Sequence, residues 1–147
     1  MGPLEWMVVL RIALGLWWLE SFRHKDLAAW WKKGSGIGWA VSVADKHPVP
    51  AIGRAFKSLV EGRPIFFGRI VVLSELALGL GLVAGFLTPV ALAGSAILCT
   101  LYLILMIRDW GGQGQNLMMI AIAVGCIGAR AWEIWSLDSL LGLFQAS

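Results

Sequence analysis

The sequence predicts an all-α fold: an integral membrane four-helix bundle with a long first loop that contains short amphipathic helices. Three observations predict it. Hydrophobic residues are 59% of the 147 and charged residues 14%, against roughly half and a quarter in a soluble domain. Four apolar runs, 4–22, 66–87, 89–107 and 115–135, are each long enough to cross ~30 Å of hydrocarbon at ~1.5 Å per residue. Nine tryptophans suit a chain that anchors at membrane interfaces and packs helices there, with pigment packing or quinone stacking as the alternative role. The length suits one domain, 1–147.

The first run is LEWMVVLRIALGLWWLESF. The preceding MGPLEW lacks the basic n-region of a signal peptide, and no A-x-A-like site follows. The run is therefore expected to be retained as a span. The loop 23–65 comes next, and a loop this long implies function or structure of its own. HKDLAAWWKK reads as a short helix or an extension of the first span, ended by GSGIG. VPAIGRAFKSLVEG reads as an amphipathic helix with Ile52, Phe56, Leu59 and Val60 on one stripe. Such a helix lies in the membrane plane or caps the bundle. The second and third runs meet at a tight turn around Thr88-Pro89, where proline suits the first helical turn. RDWGGQGQ reads as a polar, glycine-rich turn into the fourth run. Small residues at Ala77, Gly81 and Gly85, at Ala91, Ser95 and Cys99, and at Ala121, Gly125 and Ala129 form stripes suited to close packing in lipid.

Charge gives an orientation. The first loop holds eight of the basic residues against Asp26, Asp45 and Glu61, and Arg108 falls on its side. Positive-inside logic places 23–65 in the cytoplasm and both termini outside. An acidic lipid or partner is the functional reading of this basic excess, and topology determination the simpler one. Nothing in the pattern suggests nucleic acid.

Charges inside the runs mark the candidate site, because an ionisable group there is costly and needs a partner. Arg69 and Glu75 are six positions apart, ~120° on a helix, so they do not face each other. Counting depth from the ends of antiparallel spans puts Arg11 within ~6 Å of the level of Glu75 and Glu20 near Arg69. The expected pairs are Arg11–Glu75 and Glu20–Arg69. They either fix helix register or build a polar site for substrate, quinone or protons. Tyr102, Trp110, Gln115 and Asn116 lie toward the same inner side as Glu20 and Arg69, and Arg130 toward the outer side near Glu133 or Glu5. Cys99 and Cys126 read as small packing residues near mid-depth. His24 and His47 stand alone near the loop and no metal spacing occurs. No GxGxxG, P-loop or paired histidine for a b-type haem is present, so no tightly bound cofactor is expected and no catalytic residue is assigned.

LRIALGLWWLESFRHK (10–25), SELALGLGLVAGFLTPVALAG (74–94) and DWGGQGQNLMMIAIAVG (109–125) together resemble the DoxX/DoxD family of small four-helix bacterial and archaeal membrane proteins. Arg11 precedes the A-L-G-L-like run Ala13-Leu14-Gly15-Leu16. Glu75 opens the E-x-x-x-G-x-x-L-x-x-G-x-x-T pattern with Gly79, Leu82, Gly85 and Thr88. The long first loop is similar to the DoxD branch, the small subunit of thiosulfate:quinone oxidoreductase. The resemblance implies a multi-pass subunit of the cytoplasmic membrane in an electron-transfer complex, with quinone as its mobile cofactor and other membrane subunits and lipid as partners. The competing reading is a non-catalytic accessory subunit packed against a larger respiratory or photosynthetic complex. A small-solute transporter is disfavoured, since four helices leave little room for a path.

Overall fold

The computed structural model describes residues 2–107 and 109–144; Arg108, counted above with the basic side, lies outside them. Among the described residues the ordered elements are all helical. Four long helices form the frame: α1 (Pro3–Arg23), α4 (Pro64–Ala84), α5 (Thr88–Leu105) and α6 (Trp110–Gly128). Between the first two lie a π-helical turn (Ala28–Lys33), a 3-10 turn (Ser35–Ile37), α2 (Gly38–Asp45) and α3 (Pro50–Glu61). A short α7 (Leu137–Leu140) follows α6. The long helices pack in the cyclic order α1, α4, α5, α6.

Local chemistry sets the ends. Pro3, Pro50 and Pro64 open α1, α3 and α4 at positions where the missing N–H costs nothing. The Gly2 N–H donates to Glu5 at 2.7 Å, closing the first turn of α1. Helix α4 stops at Gly85, which takes the left-handed conformation (φ 67°), and the Phe86 N–H returns to the Gly81 carbonyl at 2.9 Å.

The main core joins Leu14, Trp18, Leu82, Leu92, Cys99 and Met119 across all four long helices. A second, smaller core holds Ile37, Ala40 and Val60 against Phe56, Phe67 and Val71. The segment after α1 thus has its own apolar centre and packs on the first half of α4. His47 pins it to the frame: its Nε2 lies 2.9 Å from the Ile104 carbonyl at the end of α5.

Helices α4 and α5 are long and apolar enough to cross a membrane, each with mean hydropathy 1.9 over its best window. Only 28% and 22% of those windows is buried inside the protein, so most of their apolar side chains face outward.

Several expectations change. The RDWGGQGQ turn is mostly helical, because α6 begins at Trp110; Gln113 Nε2 donates back to the Ile107 carbonyl and Asn116 Nδ2 to the Gly112 carbonyl. Helix α6 ends at Gly128, and 129–144 folds back over that end. Helix α2 lies in a stretch with no assigned element in the sequence reading. The α5 stripe of Ala91, Ser95 and Cys99 is buried, as a packing seam should be. In α4 the buried seam is instead Gly68, Val72, Glu75, Gly79 and Leu82, and in α6 it is Gly112, Asn116, Met119, Ala123 and Cys126. Ala77 and Gly81 line an open apolar groove between α4 and α5.

Candidate functional site

Two glycines fix the geometry of the site. A Cβ added at Gly15 would lie 2.9 Å from both Leu82 Cβ and the Val83 nitrogen, and one at Gly79 would lie 2.6 Å from the Leu19 side chain. Helices α1 and α4 therefore meet backbone to backbone at these points. The register that follows puts Glu75 level with the last turn of α1 and Arg11 level with the α4–α5 turn. The early turns of α4 extend past α1, and the Trp30 backbone covers them at Gly68.

Glu75, 1% exposed, is thus met by a residue just beyond α1. Lys25 Nζ lies 2.5 Å from Glu75 Oε2 and 3.3 Å from Ser21 Oγ, one turn back. It also lies 5.0 Å from the centroid of the Trp30 ring, a cation–π distance. The Tyr102 hydroxyl donates to the other oxygen, Glu75 Oε1, at 3.3 Å. Trp18 packs beside Tyr102, with ring centroids 6.5 Å apart, and its indole N–H donates to Ser95 Oγ at 2.9 Å. Both carboxylate oxygens are therefore engaged, as a buried charge requires.

The Lys25 side chain is 13% exposed, and it separates Glu75 from an open cleft of about 540 Å³. Trp17, Glu20, Ser21, His24, Trp30 and Gln115 line this cleft. It offers aromatic faces, a primary ammonium and an amide above a buried carboxylate.

The expected pairs do not form. Arg11 and Glu75 are separated by about eleven positions of helix, ~16 Å at the helical rise. The reading that paired them assumed flush span ends, whereas close glycine contacts slide α1 along α4. Arg11 is fully buried and donates to the carbonyls of Ala131 at 2.8 Å and Trp135 at 2.7 Å. Glu20 and Arg69 miss each other for the same reason. Glu20 is exposed and pairs with Arg23 at 2.6 Å and His24 at 3.2 Å. Arg69 donates to the Trp31 carbonyl at 3.1 Å and lies over its ring. Arg130 pairs with Glu133 at 2.9 Å. Of the further candidates, Tyr102 and Gln115 join the site. Trp110 is 85% exposed, and Asn116 bonds within its own helix.

Sequence reading missed Lys25 and Ser21. Gly15 packs against Leu82 and Val83, and Gly79 against Leu19; only this offset between α1 and α4 brings Glu75 to the Lys25 region.

At the opposite end a second polar cluster serves structure. Asp138, wholly buried, accepts the N–H groups of Leu87 at 2.8 Å and Thr88 at 2.7 Å. Its carboxylate caps the first turn of α5, where a negative charge is favoured. The Asp138 N–H returns to the Gly85 carbonyl at 2.9 Å. Leu87, Arg130, Trp135 and Phe144 all take left-handed conformations in this cap, with φ between 48° and 58°. Single non-glycine residues there cost on the order of 1 kcal/mol each. Arg11 and Asp138 hold the backbone that bears the cost.

No family model, curated protein or solved structure matches the chain.

Proposed function

We propose that the chain is a multi-pass integral membrane protein of DoxX/DoxD type, a subunit of a quinone-linked electron-transfer complex. In this reading α1, α4, α5 and α6 cross the bilayer, and residues 24–63 lie on the cytoplasmic face. The observation that carries it is the Lys25–Glu75–Tyr102 cluster under a tryptophan-lined cleft. An ionisable group set deep among apolar helices marks a functional position by default. The resemblance supports the reading through the same residues: Glu75, Gly79 and Leu82 form the buried seam of α4, and Gly85 and Thr88 form its turn into α5.

A quinone needs donors for its two carbonyl oxygens and, on reduction, two electrons and two protons. Lys25 and Gln115 supply donors at the cleft, and Trp17 and Trp30 supply stacking faces. Glu75 and Tyr102 form a hydrogen-bonded relay behind Lys25. The electrons come from a redox-active partner subunit. The test is saturable quenching of tryptophan fluorescence by a short-chain quinone in purified protein. Lys25→Met should weaken binding about tenfold or more, the value of one charge-assisted hydrogen bond, and Glu75→Gln should alter its pH profile. Unchanged quenching in both variants, with assembly intact, refutes the quinone site.

One observation favours the accessory reading: the α4–α5 groove, about 830 Å³ and floored by Ala77, Gly81, Ala91 and Gly94, fits a helix of another subunit. Absence of quinone binding in the unsubstituted chain, with co-purification of a cofactor-bearing complex, supports that alternative.

A further inference from the structure

Helix α3 presents three distinct faces. Val60 is buried in the small second core, and Gly53 is buried against the Ala44 carbonyl and His47. Arg54, Ser58 and Glu61 project on a polar face. Ile52 and Leu59, 38% and 61% exposed, lie on the side nearly opposite that polar face by the ~100° advance per residue. Val49 in the preceding turn and Trp39 in α2 are further exposed apolar side chains of the segment, at 46% and 52%. A helix with protein on one flank and opposed polar and apolar faces has the form of an interfacial helix.

The charges are unequal. Lys57 takes both local acids, lying 2.9 Å from Asp45 and 3.5 Å from Glu61. The Asp45 hydrogen bond, then the charges of Asp45 and Glu61, raise the Lys57 pKa above its ordinary value, so it stays charged throughout the neutral range. Lys32, Lys33, Lys46, Arg54 and Arg63 are exposed and form no ion pair among the described residues. Neutralising the acids internally leaves a net cationic rim around an exposed apolar strip.

We infer that the α2–α3 segment is a shelf that binds anionic phospholipid at the membrane surface, with Ile52 and Leu59 below the headgroups and Lys46 and Arg63, at the two ends of α3, on the phosphates. Charge complementarity selects this occupant over neutral lipid, and the strip of large apolar side chains selects a bilayer over soluble anions. The inference rests on the membrane placement above and not on the quinone site.

The test attaches an environment-sensitive fluorophore to Leu59→Cys, Ser58→Cys or Ile97→Cys in the full chain, reconstituted in bilayers that contain brominated phosphatidylglycerol or brominated phosphatidylcholine. The two native cysteines are buried, and the unsubstituted chain gives the labelling background. Position 59 should be quenched, more strongly by the brominated phosphatidylglycerol, while position 58 stays water-accessible. Neutralising Lys46 or Arg63 with glutamine should each lower phosphatidylglycerol preference about fivefold, the equivalent of ~1 kcal/mol per surface cation. Quenching at 97 without quenching at 59 overturns the shelf alone and leaves the strip for a protein partner. No quenching at 97 overturns the membrane placement and the shelf with it. Equal quenching by both lipids, or a preference that survives both glutamines together, overturns the anionic selectivity.

Discussion

Replacing Lys25 by methionine removes the cation from Glu75 but keeps the length of the stem that packs against Trp30. Glu75 is then a carboxylate 1% exposed with one neutral partner, Tyr102, at 3.3 Å. Breaking a buried pair from one side costs about 3–5 kcal/mol; the remaining tyrosine bond puts the expected loss near the lower end, about 3 kcal/mol. The reverse change is milder. Glu75→Leu leaves Lys25 at the cleft, where it can turn to water, and should cost about 1 kcal/mol. The double variant removes both charges and should be about as stable as Glu75→Leu alone. A double-mutant cycle in detergent-solubilised protein, read by reversible unfolding, should therefore give a coupling of about 3 kcal/mol. The matching cycle between Arg11→Met and Glu75→Leu should give coupling below ~0.5 kcal/mol, as expected for groups this far apart. Coupling in the Arg11 cycle, or none in the Lys25 cycle, would refute the register on which the site depends.

Other perturbations probe the rest of the frame. Gly79→Ala should cost about 1–3 kcal/mol, because the new methyl meets the Leu19 side chain at 2.6 Å and α1 must move away; thermal unfolding reads this, and the exposed Gly114, with nothing near its Cβ position, is the control. Asp138→Ala should cost about 2 kcal/mol by uncapping two α5 amides, and hydrogen exchange at Leu87 and Thr88 should accelerate. His47→Ala should release the α2–α3 turn from α5 at a cost of about 1 kcal/mol; limited proteolysis between 45 and 50 should quicken while the long helices stay intact.

Helix content was legible because apolar run length, the Ile52–Phe56–Leu59–Val60 stripe and the proline after Thr88 are local signals, and they marked the long helices, α3 and the start of α5. Partners of the buried charges were not, because they depend on the axial offset of two helices, which no single run contains. Lys25 looked like a solvated loop residue until the offset brought Glu75 to it. Arg11 found main-chain carbonyls, and a sequence gives no sign of which carbonyls a fold leaves free. Trp110 failed for a simpler reason: depth along a helix was readable, but the face it points to was not.

The Arg11 clamp also bears on time. Its two acceptors lie 120 and 124 positions later in the chain. At ~5–20 residues per second, the ribosome needs on the order of 10 s to deliver them after Arg11 emerges. Throughout that interval the first helix carries a guanidinium whose final partners do not yet exist. Its settled position must wait for the last helix and the fold-back segment. Arrival of residues 131–135, and not formation of the first helix, is then the event that closes the fold.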